Sequence, residues 1–564
     1  MAFFKTKYRA GGVTPFQSAD NKLAFLARLY ILYIFLIHPF IVGTKDPGYY
    51  ANITEMKLMS FRIAVYIFMI VGIVLYAMLK YHNPGYRELP SKPKDVWRVP
   101  RVFEWSALAF WCVLMLSTAL SIDPQQSLVG ASARNEGFLT WTGYIIAFLM
   151  ITRFAKPRQS DMLLMTIASF FVALYGLFQW YGNEFLHLIP VSFETMVGPN
   201  ITHVSTMSNI DVYSPYLLLA LFTSFVLFAH SDKKYVWAFL PLGLMAFHME
   251  QTIQVDGGWV GLLGTLVLTV PLLFTNRNSI WKSFLFIGLS LPTFIIRRVS
   301  LDHIGDWKAW SPEAIATLKP MAEAQSAEIL EIEPLLIVGA IACIVIAALV
   351  RFLPKLPVVP EKIYYIVYYG LVGFGAVGGI IALPILAEQT SNATIVGAAH
   401  ILQGQVPDEI GSGRGFVWKK CISMWLEKPI FGYGPDQFYT AFTARFYQES
   451  VQKLGVNFDK AHNEYLQMLV DNGILGLGAM LTTLFSLAGR ALRFIKKDPL
   501  TLALFVSCLC YSLQAFFNIH SQFQGPAGWV FYGLLGAQIV NREVAVEPKR
   551  EKKPKAKKET NAAV

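Results

Sequence analysis

The sequence predicts an all-α fold, a polytopic integral membrane protein with about 14 transmembrane helices. Three observations predict it. Hydrophobic residues make up 54% of the 564 residues and charged residues only 15%, with mean hydropathy +0.45. Soluble domains carry about 45–50% apolar and about 25% charged residues. Apolar runs of about 20 residues, the length that crosses a bilayer core, recur along the chain. The turns between them alternate between basic and non-basic, as membrane loops do.

The candidate spans lie near 23–43, 60–80, 103–121, 136–153, 160–180, 211–230, 234–250, 257–275, 279–297, 334–353, 361–385, 473–494, 499–518 and 525–541. Basic residues cluster at Lys80 to Arg101, Arg153 to Arg158, Lys233-Lys234, Arg277 with Lys282, Arg351 with Lys355, and Arg490 to Lys497. The span count puts these turns and both termini on one side, the cytoplasm by the positive-inside rule. Arg297 and Arg298 are an exception. The opposite loop, 298–333, is acidic and expected to be partly helical from Pro312 to Glu333. The chain thus divides into a cytoplasmic N-terminus (1–22), eleven helices with outer loops (23–385), a long outer loop expected to carry the chemistry (386–472), three more helices (473–541) and a basic cytoplasmic tail (542–564). The tail is lysine-rich and broken by Pro548 and Pro554, a composition that stays disordered or meets anionic lipid.

The net charge of +11 fits cytoplasmic loops and does not require nucleic acid, since no folded basic domain is visible. Of five cysteines, four sit in apolar runs and Cys421 is alone in its loop, so no disulfide framework is implied. The first apolar run, Leu23 to Val42, spans and lacks a small-residue cleavage site, so no cleavable signal peptide is expected.

Candidate chemistry gathers between Ile410 and Leu481. His462 opens a run, His-Asn-Glu-Tyr-Leu, in which His462, Tyr465, Leu466 and Leu469 share one helical face. A histidine there is either an interfacial hydrogen-bonding residue or a base able to take a hydroxyl proton near neutral pH. Arg414 stands one turn before Trp418. It either anchors an amphipathic helix from Gly415 to Glu427 or presents its fork to phosphate oxygens. Arg134 lies in a short outer loop against the charge trend, and Arg445 reads as a loop ion pair. The turn Pro429 to Pro435, ahead of Asp436, either reverses the chain or aims backbone N–H groups at an anion. Asp436, Asn463 and Tyr465 are further substrate-binding candidates. No metal site is motivated: there is no His-Glu-x-x-His, no Asp-x-Asp and no P-loop. Gly373 to Gly378 matches a dinucleotide pattern by letter only and reads as helix packing. The spans carry few ionisable residues, which argues against an ion relay.

Arg414…Trp418, Gly-Tyr-Gly-Pro-Asp-Gln-Phe438, His462-Asn-Glu-Tyr-Leu466 and Asn472-Gly-Ile-Leu-Gly-Leu477 together resemble the C-terminal part of the O-antigen ligase/polymerase family. Weaker echoes are Gly130 to Trp141, Gln179-Trp180, Thr206 to Asn209 and Gly257 to Gly261. The resemblance implies a GT-C-like membrane glycosyltransferase, independent of metal and needing no cofactor. It would move a glycan from a polyprenyl-pyrophosphate carrier, such as undecaprenyl pyrophosphate, to a glycan, lipid or protein acceptor. It would work in the bacterial cytoplasmic membrane, at the outer face. By the same resemblance His462 is the base that activates the acceptor, and Arg414 holds the pyrophosphate. Asp256 departs from the pattern, standing where a second phosphate-binding arginine is expected, and Arg134 is the residue that could replace it. The alternatives are a lipid-linked glycan flippase or polysaccharide exporter, and a non-catalytic scaffold. A transporter would show related halves with polar groups near the midplane, and neither is visible.

Overall fold

The computed structural model describes residues 15–43, 53–82, 101–131, 135–181, 203–303, 312–353, 361–388 and 393–546. Arg134, the basic tail from 547, most of the basic loop 80–101 and most of the outer loop 181–210 lie outside the described residues. Each candidate span overlaps a helix, but 279–297 covers two of them, 23–43 runs past the end of its helix and 234–250 starts ahead of its own. In chain order the helices are α1 (Pro15–Leu36), α2 (Ile53–His82), α3 (Val102–Ala119), α4 (Pro124–Val129), α5 (Phe138–Phe154), α6 (Gln159–Trp180), α7 (Ile210–His230), α8 (Phe239–Ile253), α9 (Asp256–Leu273) and α10 (Arg277–Ser290). They continue as α11 (Pro292–Asp302), α12 (Pro312–Phe352), α13 (Glu361–Ala387), α14 (Ala393–Leu402), α15 (Ile410–Glu427), α16 (Phe438–Leu454), α17 (Glu464–Ala491), α18 (Pro499–Gln514) and α19 (Gly525–Val546). Among the described residues there is no strand. Among the described residues ten helical segments are long and apolar enough to cross a bilayer, and α5 and α18 are shorter apolar helices. The protein is a multi-pass membrane protein.

The centre of the bundle is α7. It is apolar all round and buried from Val212 to Ala229, as a helix without a polar face must be. It packs on α6, α8, α9, α10 and α18. Two of its hydroxyls meet neighbouring helices: Thr223 Oγ1 is 3.0 Å from Ser507 Oγ on α18, and Ser214 donates to Glu250 on α8 at 2.6 Å. Gly258 on α9 is required there, because a Cβ would run into Glu250 and Ser214. The bundle's edge is α12 and α13, whose apolar side chains face outward, Leu335 and Phe374 among them. A bilayer covers such a face; water would not. The acidic loop proves largely helical, continuous with α12. Arg298 pairs there with Glu333 at 2.6 Å, which accounts for one of the two arginines that broke the side trend.

Two expectations are corrected. Gly373 and Gly378 do not mediate close helix packing: a Cβ at either meets nothing within 4 Å, because α13 stands off the bundle and touches α9 mainly through Tyr368 and Tyr369. The spans also bury more charge than their composition suggests. Lys57 donates to the His38 and Pro39 carbonyls at 2.9 and 2.8 Å, and Asp161 pairs with Arg28 at 2.8 Å. Glu250 is likewise fully buried against Ser214. Each of these groups finds its partner in another part of the chain, so a single run of sequence does not reveal it.

Candidate active site

Residues 393–472 are not an extended loop. They form α14, α15 and α16, with a small apolar core of their own built on Phe416, Cys421, Tyr433, Phe438 and Phe442. The turn Pro429 to Pro435 anchors this cap to the bundle. Tyr433 N donates to Val470 O at 3.0 Å, Gly434 N to Asp471 O at 2.8 Å, and Ile474 N to Pro429 O at 2.8 Å. These bonds fill the break in α17 at Gly473, whose φ of 66° and ψ of −173° only glycine adopts readily. At Gly432 a Cβ would stand 2.5 Å from Asp471 O. The N–H groups of Gly432, Tyr433 and Gly434 are therefore committed to carbonyls, and the anion-nest reading of the turn is corrected to a docking turn.

Arg414 follows three residues with positive φ, Gly411 (59°), Ser412 (60°) and Gly413 (90°), so α15 is regularly helical only beyond them. Its Nη1 lies 3.7 Å from Asp256 Oδ2, at the first turn of α9. Its Nε is buried with no hydrogen-bond partner among the described residues. One turn on, the Trp418 indole donates to the Ala461 carbonyl at 3.0 Å, and its ring lies 5.7 Å from that of Phe517. Phe517 in turn abuts Gly257, where a Cβ would be 3.1 Å from its carbonyl oxygen. His462 follows Ala461 directly. Its φ of 48° is left-handed, and its Nδ1 is 4.0 Å from Asp211 Oδ2 at the start of α7. Arg414 and His462 thus stand at the same end of the bundle, over the N-terminal turns of α7 and α9, joined through Trp418 and Ala461.

The other candidates serve the frame. Asn463 caps α17, its Oδ1 accepting from Tyr465 N and Leu466 N, both at 3.0 Å. Tyr465 donates its hydroxyl to Ser512 O at 2.7 Å. Arg445 pairs with Glu427 at 2.9 Å, the loop ion pair expected. Asp436 is buried: Oδ1 accepts from Lys460 Nζ at 2.9 Å, and Oδ2 from Ala131 N and Glu136 N at 2.7 and 3.0 Å.

Sequence reasoning missed Lys460, Glu136 and His520. Glu136 Oε2 lies 2.9 Å from His520 Nδ1, and Tyr144 donates to Oε1 at 3.1 Å. Burial works against both charges, but each outweighs it for the other: the Glu136 carboxyl is held below its ordinary value and the His520 imidazole above its own. Burial also disfavours the Lys460 ammonium, and Asp436, Asp471 and Glu136 overcome that and raise its pKa. The signal available in sequence was the polar run Asn518 to Gln524 between two apolar helices.

A cleft of about 740 Å³ opens beside the cap, lined by Asp123, Gln126, Asp436, Tyr439, Thr440 and Asp459. Among the described residues no three His, Cys, Asp or Glu side chains group closely enough to hold a metal ion.

Residues 335–481 match the O-antigen ligase family. The match supports the O-antigen ligase/polymerase resemblance read from the motifs, and with it a glycosyltransferase-type enzyme. The O-antigen ligase match runs from α12 into α17, so it includes Arg414, Asp436, Lys460 and His462 and leaves out Glu136 and His520. No curated protein matches the chain.

Proposed function

We propose that this protein transfers a glycan from a polyprenyl-pyrophosphate carrier to an acceptor hydroxyl at the outer face of the bacterial cytoplasmic membrane. The observation that carries the reading is the Trp418–Ala461 hydrogen bond of 3.0 Å, which joins the helix of Arg414 to the turn of His462 within the O-antigen ligase match. It brings a cation and a base to one mouth of the bundle.

In this reaction His462 takes the acceptor proton. Its Nδ1 faces Asp211, which favours Nε2 as the accepting atom. The acceptor oxygen forms a bond to the anomeric carbon as the bond to the carrier pyrophosphate breaks. The pyrophosphate departs with the bonding pair, and its growing charge is met by the Arg414 fork. The energy resides in the carrier bond, so the step calls for neither nucleotide nor metal. Asp256 pairs with Arg414 before the donor binds and is displaced by it. The polar cleft beside Asp459 offers amides, hydroxyls and an aromatic ring, chemistry suited to the hydroxyls of an acceptor glycan. The same reading carries fourteen spans, both termini in the cytoplasm, and residues 386–472 outside.

The test uses membranes containing the protein and a carrier-linked glycan donor. Arg414→Lys should lower transfer by about tenfold or more, because a point charge does not replace a bidentate fork. Wild-type membranes that transfer nothing, while deletion of the protein traps lipid-linked glycan on the inner leaflet, would replace the enzyme by a flippase.

A further inference from the structure

We propose that Lys460, Asp436, Glu136 and His520 form one buried tie whose task is to position His462, an inference that rests on the transfer reaction proposed above. The tie begins two residues before His462. The Lys460 ammonium meets Asp436 Oδ1 at 2.9 Å, with both side chains under one-tenth exposed. The other oxygen of Asp436 takes the N–H groups of Ala131 and Glu136, so one carboxylate ties its own stretch of chain to two others. The side chain of Glu136 then crosses to His520 at 2.9 Å. His520 stacks on Trp141, with ring centroids 5.1 Å apart. Gly525 leaves it room, since a Cβ there would come within 2.6 Å of the imidazole. The run from His520 back to Ala515 closes the circuit, because Ala515 O accepts from Glu464 N at 2.9 Å. Glu464 lies two residues after His462. The base is therefore fixed from both sides by the same network.

Stability alone is a poor reason for this arrangement. Buried ion pairs are often replaceable by apolar residues without loss, because desolvation offsets the attraction. What charges provide is a defined geometry. Both Asp436 (φ 60°) and His462 (φ 48°) hold left-handed backbone that a non-glycine residue adopts only when its surroundings enforce it. The Nε2 of His520 is buried without a hydrogen-bond partner among the described residues, so the ring is oriented by Glu136 and by stacking. These are positioning residues, acting through the turn that carries His462.

The experiment compares wild type with Lys460→Met, Lys460→Arg and Glu136→Gln in reconstituted membranes, reading transfer at varied donor concentration together with thermal unfolding. The expected result is a fall in kcat of about a hundredfold for Lys460→Met, the cost of roughly ångström-scale misplacement. KM for the donor should change by less than about threefold, and Lys460→Arg should restore most of the rate. Glu136→Gln should lower kcat in the same direction and move the alkaline limb of the pH–rate profile. Facing His520 are Glu136, Tyr144, Glu464, Lys460 and Tyr511, so that limb reports the network and not one imidazole. Wild-type kcat in Lys460→Met overturns the inference while leaving the reaction intact. A loss of kcat that tracks unfolding temperature and is not rescued by Lys460→Arg also overturns it, as does failure of both Lys460→Met and Glu136→Gln to insert. Absence of transfer by wild type itself would instead remove the reaction.

Discussion

His462 sits at φ 48°, and this decides which substitution tests it. Alanine in the left-handed region costs about 1–2 kcal/mol, so a dead His462→Ala could be a misfolded turn. Asparagine tolerates that backbone and carries no base. Transfer by His462→Asn should fall by about 10²–10⁴-fold, the worth of general-base catalysis, with an unfolding temperature close to wild type. Retained transfer would remove the base. The Glu136–His520 pair predicts a pH signature in stability. His520 is raised above its ordinary 6.5, so its contribution is complete below about pH 6.5 and is lost as pH rises through the folded value. Glu136 is held below its ordinary 4.5, so its contribution is complete above about pH 4.5 and is lost as pH falls. The purified protein should therefore lose unfolding temperature as pH rises above about 6.5, and Glu136→Gln should flatten that slope. Equal slopes would show that the pair does not couple. His462 and Arg414 stand out as candidates in the sequence because each sits in a short local motif. The Glu136–His520 contact joins residues 384 positions apart, and no local pattern announces it.

At the scale of elements, glycine separates two roles that look alike in sequence. Gly473 breaks α17 at φ 66°, and a Cβ there would lie 2.6 Å from Phe431 N. Gly473→Ala should destabilise by about 1–3 kcal/mol and loosen the docking turn, lowering the unfolding temperature in detergent. Gly370 on α13 meets nothing within 4 Å. Gly370→Ala should be neutral or stabilise by up to about 1 kcal/mol, since alanine is the better helix former. The reverse order would mean that α13 packs on a neighbour and that the turn on Gly473 does not matter. Apolar runs made the helices themselves readable. The helices of the cap were less so, because α15 and α16 bury only one side against each other, and their boundaries depend on Gly411 to Gly413 and on Gly455 (φ 70°). The sequence placed a span from 473 and a separate short helix from His462. Docking of Pro429 to Gly434 is what lets one helix, capped at Asn463, run through the break.

For the whole molecule, composition makes a membrane bundle visible, while the central place of α7 and the outward faces of α12 and α13 emerge only from the packing. Which side is which follows only from charge, and charge is a bias that pairing can defeat, as Arg298 and Glu333 show. The proposed topology puts Tyr447, on the exposed side of α16, outside the cell, and Arg493, in the basic turn after α17, inside. One helix, α17, connects the two regions and is long and apolar enough to span. With the native cysteines replaced by serine, Tyr447→Cys should react with a membrane-impermeant maleimide in cells whose outer envelope has been opened. Arg493→Cys should react only once the inner membrane is permeabilised. Labelling of both before permeabilisation would mean that α17 does not cross. The opposite pattern would put His462 and Arg414 in the cytoplasm, where an acceptor assembled outside the cell is out of reach, and the transfer reaction would then have to be assigned to an inward-facing carrier.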